Sequence, residues 1–144
     1  MPIRVWEDQH KGQNVRAVGP IHAGTVVGPL EVQRVVAQPG MHTLQLAEHE
    51  HGDGLGTFAF LNHCCEPNVF VDTQARHVVA LRDITDGEEL GYFYPSTEWR
   101  LAVPFDCGCG TPSCVGRLAG TADLPPSTVL RYRLNAHILR LLGA

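Results

Sequence analysis

Short runs in which apolar and polar positions alternate fill most of this chain, and a period of two is the signature of half-buried strands. Residues 3–6 read as a first strand, and residues 15–18 as a second after Lys11-Gly12-Gln13-Asn14. Residues 25–36 are rich in β-branched side chains but broken by Gly28-Pro29, which predicts two short strands rather than a helix. Residues 43–46 alternate again, whereas 47–56 are polar and glycine-bearing and read as a solvated loop. Phe58, Phe60 and Leu61 suit a buried strand that Pro67 prevents from continuing. Residues 69–72 and 77–81 flank Thr73-Gln74-Ala75-Arg76 as a hairpin. The period changes only near the C-terminus. There Leu130, Leu134, Ile138 and Leu141 recur at helical spacing, with Ser127 or Thr128 placed to cap and Gly143 to close. The pattern predicts a mainly β fold with one C-terminal helix, whose role is packing; Arg131, Arg133 and Arg140 on its polar side read as solvated.

Length and composition narrow this picture. The chain of 144 residues suits one compact domain, and at this size about 68–70% of the unfolded surface can be buried, so a core needs no disulfides. No apolar leader or run of 18 apolar residues is visible, so an intracellular location is expected, with cytoplasm and nucleus not distinguished. A formal charge of −4 argues against direct nucleic-acid binding and suits a basic peptide. The five cysteines are an odd number, and Cys107, Cys109 and Cys114 crowd together, as reduced metal ligands do and a disulfide framework does not. His42, His49 and His51 offer a second metal reading, but their setting favours a solvated loop.

Three stretches concentrate chemistry: Asn62-His63-Cys64-Cys65-Glu66-Pro67-Asn68, Gly87-Glu88-Glu89-Leu90-Gly91-Tyr92-Phe93-Tyr94, and Phe105 to Cys114 with its Cys-x-Cys-x4-Cys spacing. In these motifs, their order and their separations, the chain resembles the SET-domain protein lysine methyltransferases with a post-SET zinc-binding tail. The resemblance covers roughly residues 3–118. It implies a fold of small sheets with a pseudoknot that brings Asn62-His63 to Tyr94 and a cysteine-rich post-SET segment, to which the periodicity adds the C-terminal helix. The division that follows is 1–104 for the SET domain, 105–118 for the post-SET segment and 119–144 for a helical extension.

The resemblance also implies roles. S-adenosylmethionine is the implied cofactor, held by Lys11, Gly12, Asn62, His63, Tyr94 and Phe105. Tyr94 is placed at the methyl-transfer channel, and Tyr92 at the position that limits how many methyl groups are added, where a tyrosine resembles the monomethylating type. Zinc is the second implied cofactor, with Cys65 joining Cys107, Cys109 and Cys114, and Cys64 facing the other way. The implied partner is a lysine-containing protein or peptide, a histone among the candidates, with no membrane and no stated oligomeric state. Its basic flanks could meet Glu48, Glu50, Asp53 and Glu98. The chain departs from the family pattern at Asn14, Ala59 and Phe93, where a glycine, an arginine and an acidic residue are usual. Asn14 is expected to keep its loop's shape because asparagine tolerates a left-handed backbone. Two rival readings stay open: a Cys-His nucleophilic enzyme built on His63 and Cys64, disfavoured because such partners normally converge from separate segments, and a zinc-stabilised SET module that has lost transfer activity and binds proteins.

Overall fold

The structure is a computed structural model that describes residues 1–9 and 12–143. Among the described residues, twelve short strands form five small sheets. Strands β1 (Ile3–Asp8) and β2 (Gly12–Ala17) make an antiparallel hairpin. β3 (Val26–Pro29) pairs with β9 (His77–Ala80), which pairs in turn with β8 (Val69–Asp72). β4 (Arg34–Val36) and β5 (Leu44–Ala47) flank β6 (Glu50–Asp53). β7 (Asn62–His63) and β10 (Gly91–Tyr92) run parallel, and β11 (Phe105–Asp106) pairs with β12 (Arg117–Leu118). The mainly β expectation and the Thr73–Arg76 hairpin hold, the latter with Arg76 at φ 57°. Among the described residues no helix is long and apolar enough to cross a membrane.

Among the described residues a cluster of buried side chains, including Val15, Val27, Leu30, Val71, Val78, Ile84 and Leu90, joins four of these sheets, all but β11–β12. No sheet is large enough to bury a face alone, so each uses its neighbours' apolar side chains. Loop contacts complete the frame: Leu90 N donates to Val15 O at 2.8 Å, and Ile21 and Ile84 exchange backbone bonds.

Three expectations from periodicity change. Gly56–Phe60 is a 3-10 helix rather than a strand, and extended backbone resumes only at Leu61. Residues 50–53 are a central strand, not a solvated loop, and His51 in it is buried, with burial lowering its pKa. The C-terminal helix is two short helices, α1 (Pro126–Val129) and α2 (Ala136–Leu141), with Leu130 left exposed between them.

Asn135 explains the break. Its backbone is extended, and its buried amide accepts from Thr73 N (2.9 Å) and donates to Val71 O and Ser96 O (both 2.9 Å). Satisfying those buried backbone groups outweighs the modest gain of continuing an exposed helix. Neither Ser127 nor Thr128 caps: Pro125 precedes α1. Gly143, at φ 80°, does close α2.

Candidate active site and metal centre

The site is built around the parallel pair β7–β10, which sets the first two motifs side by side. Asn62 is opposite Gly91 and His63 opposite Tyr92. The pair is extended by Cys64 N donating to Tyr92 O (2.9 Å) and Asn68 N to Gly91 O (3.1 Å). Asn68 is buried; its Oδ1 accepts from Gly91 N at 2.9 Å, and its Nδ2 donates to Glu88 Oε2 and Glu89 O. Gly91 suits the close approach here: a Cβ there would lie 3.0 Å from that of Cys64, tighter than most such contacts.

Two side chains carry this frame into chemistry. The Tyr94 hydroxyl donates to Leu61 O at 2.6 Å, which fixes the ring against the start of the first motif. Tyr94 N donates to His63 Nδ1 at 3.1 Å, so this ring nitrogen is the bare one and the imidazole proton sits on Nε2. That Nε2–H faces Cys65 Sγ at 3.2 Å. Burial lowers the His63 pKa to about 4, which keeps the ring neutral. One imidazole therefore links the Tyr94 backbone to the cysteine cluster. The Tyr92 and Tyr94 rings lie 4.7 Å apart, consistent with both facing one site.

Two cavities adjoin this frame. One, of about 730 Å³, is lined by His63, Glu89, Arg82 and the residues 105–109 loop; the other, of about 420 Å³, by Tyr92, Glu98, Phe58, Ala59 and Leu101. Asn62, Tyr94 and Phe105 line both. Ligand cavities commonly span about 300–1,000 Å³. The larger one is polar along one side, where Asn62 Nδ2 donates to Glu89 Oε2 at 2.9 Å and Arg82 pairs with Glu88 at 2.6 Å. The Arg82 guanidinium holds the Glu88 carboxyl down at about 2.

The smaller cavity has the opposite electrostatics. Burial pushes the Tyr94 phenol up, helped by the negative charges of Glu98 and Glu89, and burial raises Tyr92 well above the ordinary tyrosine range. Neither hydroxyl ionises near neutral pH. Glu98, 5% exposed, is raised by burial to about 7 although Gln45 N donates to its Oε2 at 2.9 Å.

Cys65, Cys107, Cys109 and Cys114 form the cysteine cluster, with all four sulfurs within 4.8 Å of one another. Cys65 and Cys107 sulfurs are 3.7 Å apart. A tetrahedron with zinc–sulfur bonds of about 2.3 Å has edges of about 3.8 Å, so the residues fit a closed structural zinc site. Val115 N donates to Cys65 Sγ at 3.4 Å, the kind of outer bond that orients a thiolate. Burial pushes the Cys65 thiol up, so a bound cation is what would hold it ionised. Cys64 points elsewhere, its thiol donating to Glu66 O, and forms no pair with His63, whose two nitrogens are both engaged. The Cys-His nucleophile reading is therefore not supported.

The SET domain family model matches residues 12–95, more than half of the chain. The chain belongs to the SET-domain family. This SET domain is 40% identical over 91 residues to "Methyltransferase flvH" of Aspergillus flavus, an alignment covering 62% of this chain and 51% of that protein. It is 29% identical over 152 residues to a histone-lysine N-methyltransferase, H3 lysine-36 specific, of Saccharomyces cerevisiae, covering 90% of this chain and 21% of that one. Among solved structures it resembles KRYPTONITE in complex with mCHH DNA, an H3(1-15) peptide and SAH, with a TM-score of 0.62 and 28% identity over 81% of this chain and 29% of that chain. The chain spans about half or less of the length of these proteins.

Within this SET domain the predicted site residues Asn62, His63, Tyr92, Tyr94 and Phe105 converge, and the four predicted thiols cluster. Lys11 lies outside the described residues. Gly12 has the positive φ (70°) of a glycine turn. Asn14 does not take the left-handed backbone: it is a fully buried residue of β2 whose Oδ1 accepts from Arg16 Nε, with no partner for Nδ2 among the described residues. Phe93 stacks on Tyr132 with ring centroids 3.6 Å apart, and the Tyr132 hydroxyl donates to Cys65 O at 2.6 Å. The apolar residue thus suits a C-terminal segment that covers it. Asp53 is occupied by Arg34, and Glu98 is no surface acid at all but part of the inner wall. Only proximity in sequence grouped Glu98 with the surface acids, and no periodicity marks it as buried.

Proposed function

We propose that this SET domain transfers a methyl group from S-adenosylmethionine to the side-chain amine of a protein lysine, and that it stops at one methyl. The observation that carries the reading is the wall of Asn62, Tyr94 and Phe105 shared by two cavities of unequal size. A donor in the larger cleft and an amine in the smaller would approach one another at that wall. When bound, S-adenosylmethionine supplies an electrophilic sulfonium methyl. The larger cleft fits such a group in volume and in having polar groups beside the Phe105 ring. Asn62, His63, Tyr94 and Phe105 would hold it, and the family resemblance adds Lys11 and Gly12 to that set.

The chain's own residues do the positioning. Tyr94, fixed through Leu61 O, orients the amine and remains protonated. Alignment of two held reactants accounts for much of the rate in a direct displacement. The buried Tyr92 side chain narrows the space in which a methylated amine could turn, which supports monomethylation. Zinc at the four thiols would hold the 105–109 wall of the donor cleft. The target peptide adds along an exposed strand edge; the smaller cavity opens beside Met41 and Val103, both exposed. We assign residues 1–104 to the SET domain, 105–118 to the post-SET segment and 119–144 to its extension, and infer an intracellular setting and a protein substrate, histones included.

The test is an S-adenosylmethionine binding isotherm on zinc-replete protein, with Asn62→Ala as control. Saturable binding lost in the variant supports the reading. Folded, zinc-loaded protein that binds none favours the alternative, a SET module that acts by protein interaction.

A further inference from the structure

The smaller cavity contains a group that the roles above leave unused. Glu98 stands two residues after the Tyr94–Ser96 turn, and its backbone is pinned by Glu98 N donating to Tyr94 O at 2.9 Å and by its own carbonyl, which accepts from Thr121 N at 3.1 Å. Its side chain lines the cavity beside Tyr92 and Tyr94. Gln45 N donates to Oε2, the Thr97 side chain also bonds the carboxyl, and the Gln45 side chain in turn accepts from Trp99 N at 2.8 Å, which ties β5 to the 98–99 backbone. Two hydrogen bonds thus hold the carboxyl in place.

Buried carboxylates normally face a cation. Among the described residues no lysine or arginine forms an ion pair with Glu98. The protein thus supplies a desolvated, oriented carboxyl on a cavity wall and leaves its counter-charge to come from elsewhere. A lysine side chain enters such a cavity as an ammonium, with a free pKa of about 10.4, and an ammonium cannot attack a methyl carbon until it has lost a proton.

We propose that Glu98 is the catalytic residue that receives the incoming ammonium and takes its proton. This rests on the methyl-transfer reading and adds to it the group that makes the amine reactive. The Glu98 carboxylate accepts one proton from the ammonium: an N–H bond breaks, an O–H bond forms, and a neutral amine faces a neutral carboxylic acid. The amine nitrogen then uses its freed pair to bond the methyl carbon of the sulfonium donor, while the carbon–sulfur pair stays on sulfur. The product is a methylammonium, and the Glu98 proton returns to solvent as the product leaves. Tyr92 and Tyr94 cannot take this proton at neutral pH, because their phenols are already protonated and held so, whereas Glu98 titrates where a base is useful. The titratable groups facing Glu98 are these two tyrosines from β10 and the following turn, with the exposed His42 on the same cavity.

The test compares wild type with Glu98→Gln, which keeps an acceptor for Gln45 N–H, and with Glu98→Asp, which keeps the charge on a shorter arm. Initial rates on a lysine peptide with S-adenosylmethionine are followed by mass spectrometry from pH 6 to 10, and peptide affinity is measured at pH 7.5 without donor. The wild-type rate should rise to a plateau with a midpoint near neutrality. Glu98→Gln should be at least about tenfold slower at pH 7.5, approach wild type towards pH 10 where water can take the proton, and bind the peptide more weakly; Glu98→Asp should fall between. A Glu98→Gln rate equal to wild type, or lower by one constant factor at every pH, overturns the inference and leaves methyl transfer standing. Wild type that binds the donor and peptide but transfers nothing overturns both.

Discussion

The two cavities that meet at Tyr94 are made in different ways. The larger is bounded by a loop with little regular structure, Phe105–Asp106 followed by a glycine-spaced cysteine run, and its shape depends on four thiols being drawn together. The smaller is bounded by packed aromatic rings and a buried carboxyl held by Gln45 N and the Thr97 side chain. One wall would be held by metal coordination at the four thiols, the other is held by burial. The difference teaches where each side is vulnerable: the larger should collapse with its metal, whereas the smaller should respond to single buried groups and to pH.

Metal removal breaks the comparison most severely. Chelation, or Cys107→Ser, should release the 105–109 wall and lower S-adenosylmethionine affinity at least about tenfold while β1 to β9 keep their circular dichroism; calorimetry on treated and zinc-restored protein reads both. Loss of the frame behind the smaller cavity comes next. Asn135→Ala leaves the buried Val71, Thr73 and Ser96 backbone groups short of partners and should cost about 3 kcal/mol, read by urea unfolding.

Charge in the smaller cavity sharpens the comparison. The folded Glu98 carboxyl has its pKa raised to about 7 from 4.5, so the folded state binds the proton more tightly than the unfolded chain. Stability therefore falls as pH rises from about 4.5 through about 7, and the burden is complete above that window. Glu98→Gln should gain stability over wild type at pH 8, on the order of 3 kcal/mol, and lose that advantage by pH 4, as thermal melts at the two pH values would show. The smallest change in rate but the clearest in product is Tyr92→Phe, which should add dimethyl and trimethyl species to a monomethyl product in mass spectra. Substantial trimethyl product from wild type would refute the single-methyl reading.

The larger cavity's residues were more legible in the sequence than the smaller's. Asn62, His63, Cys65 and the cysteine tail are defined by residue type and spacing, and a metal cluster or a strand end needs those types wherever the rest of the chain runs. Glu98 was not legible, because a buried carboxyl and a solvated one have the same local pattern; only Gln45, 53 positions away, tells them apart. The C-terminal helix failed for a related reason. Its apolar spacing was real, and Ile138 is buried, but Asn135 has partners at 71, 73 and 96 that no window around 135 contains. The central β6 strand was hidden by Glu50, His51 and Asp53, whose polarity suggested solvent although β4 and β5 pair with both its edges and His51 is buried. Phe93 looked like a departure in isolation and became intelligible only against the ring of Tyr132.

The two cavities are proposed to act as one site through Tyr94, and Tyr94→Phe tests this most directly. The substitution keeps the ring and removes the hydroxyl that bonds Leu61 O. S-adenosylmethionine and lysine peptide should each bind within about threefold of wild type, while methyl transfer measured by mass spectrometry falls by about 100-fold or more, the loss expected of a group that aligns two bound reactants. Transfer at the wild-type rate by the Tyr94→Phe protein, with both ligands bound, would contradict the account.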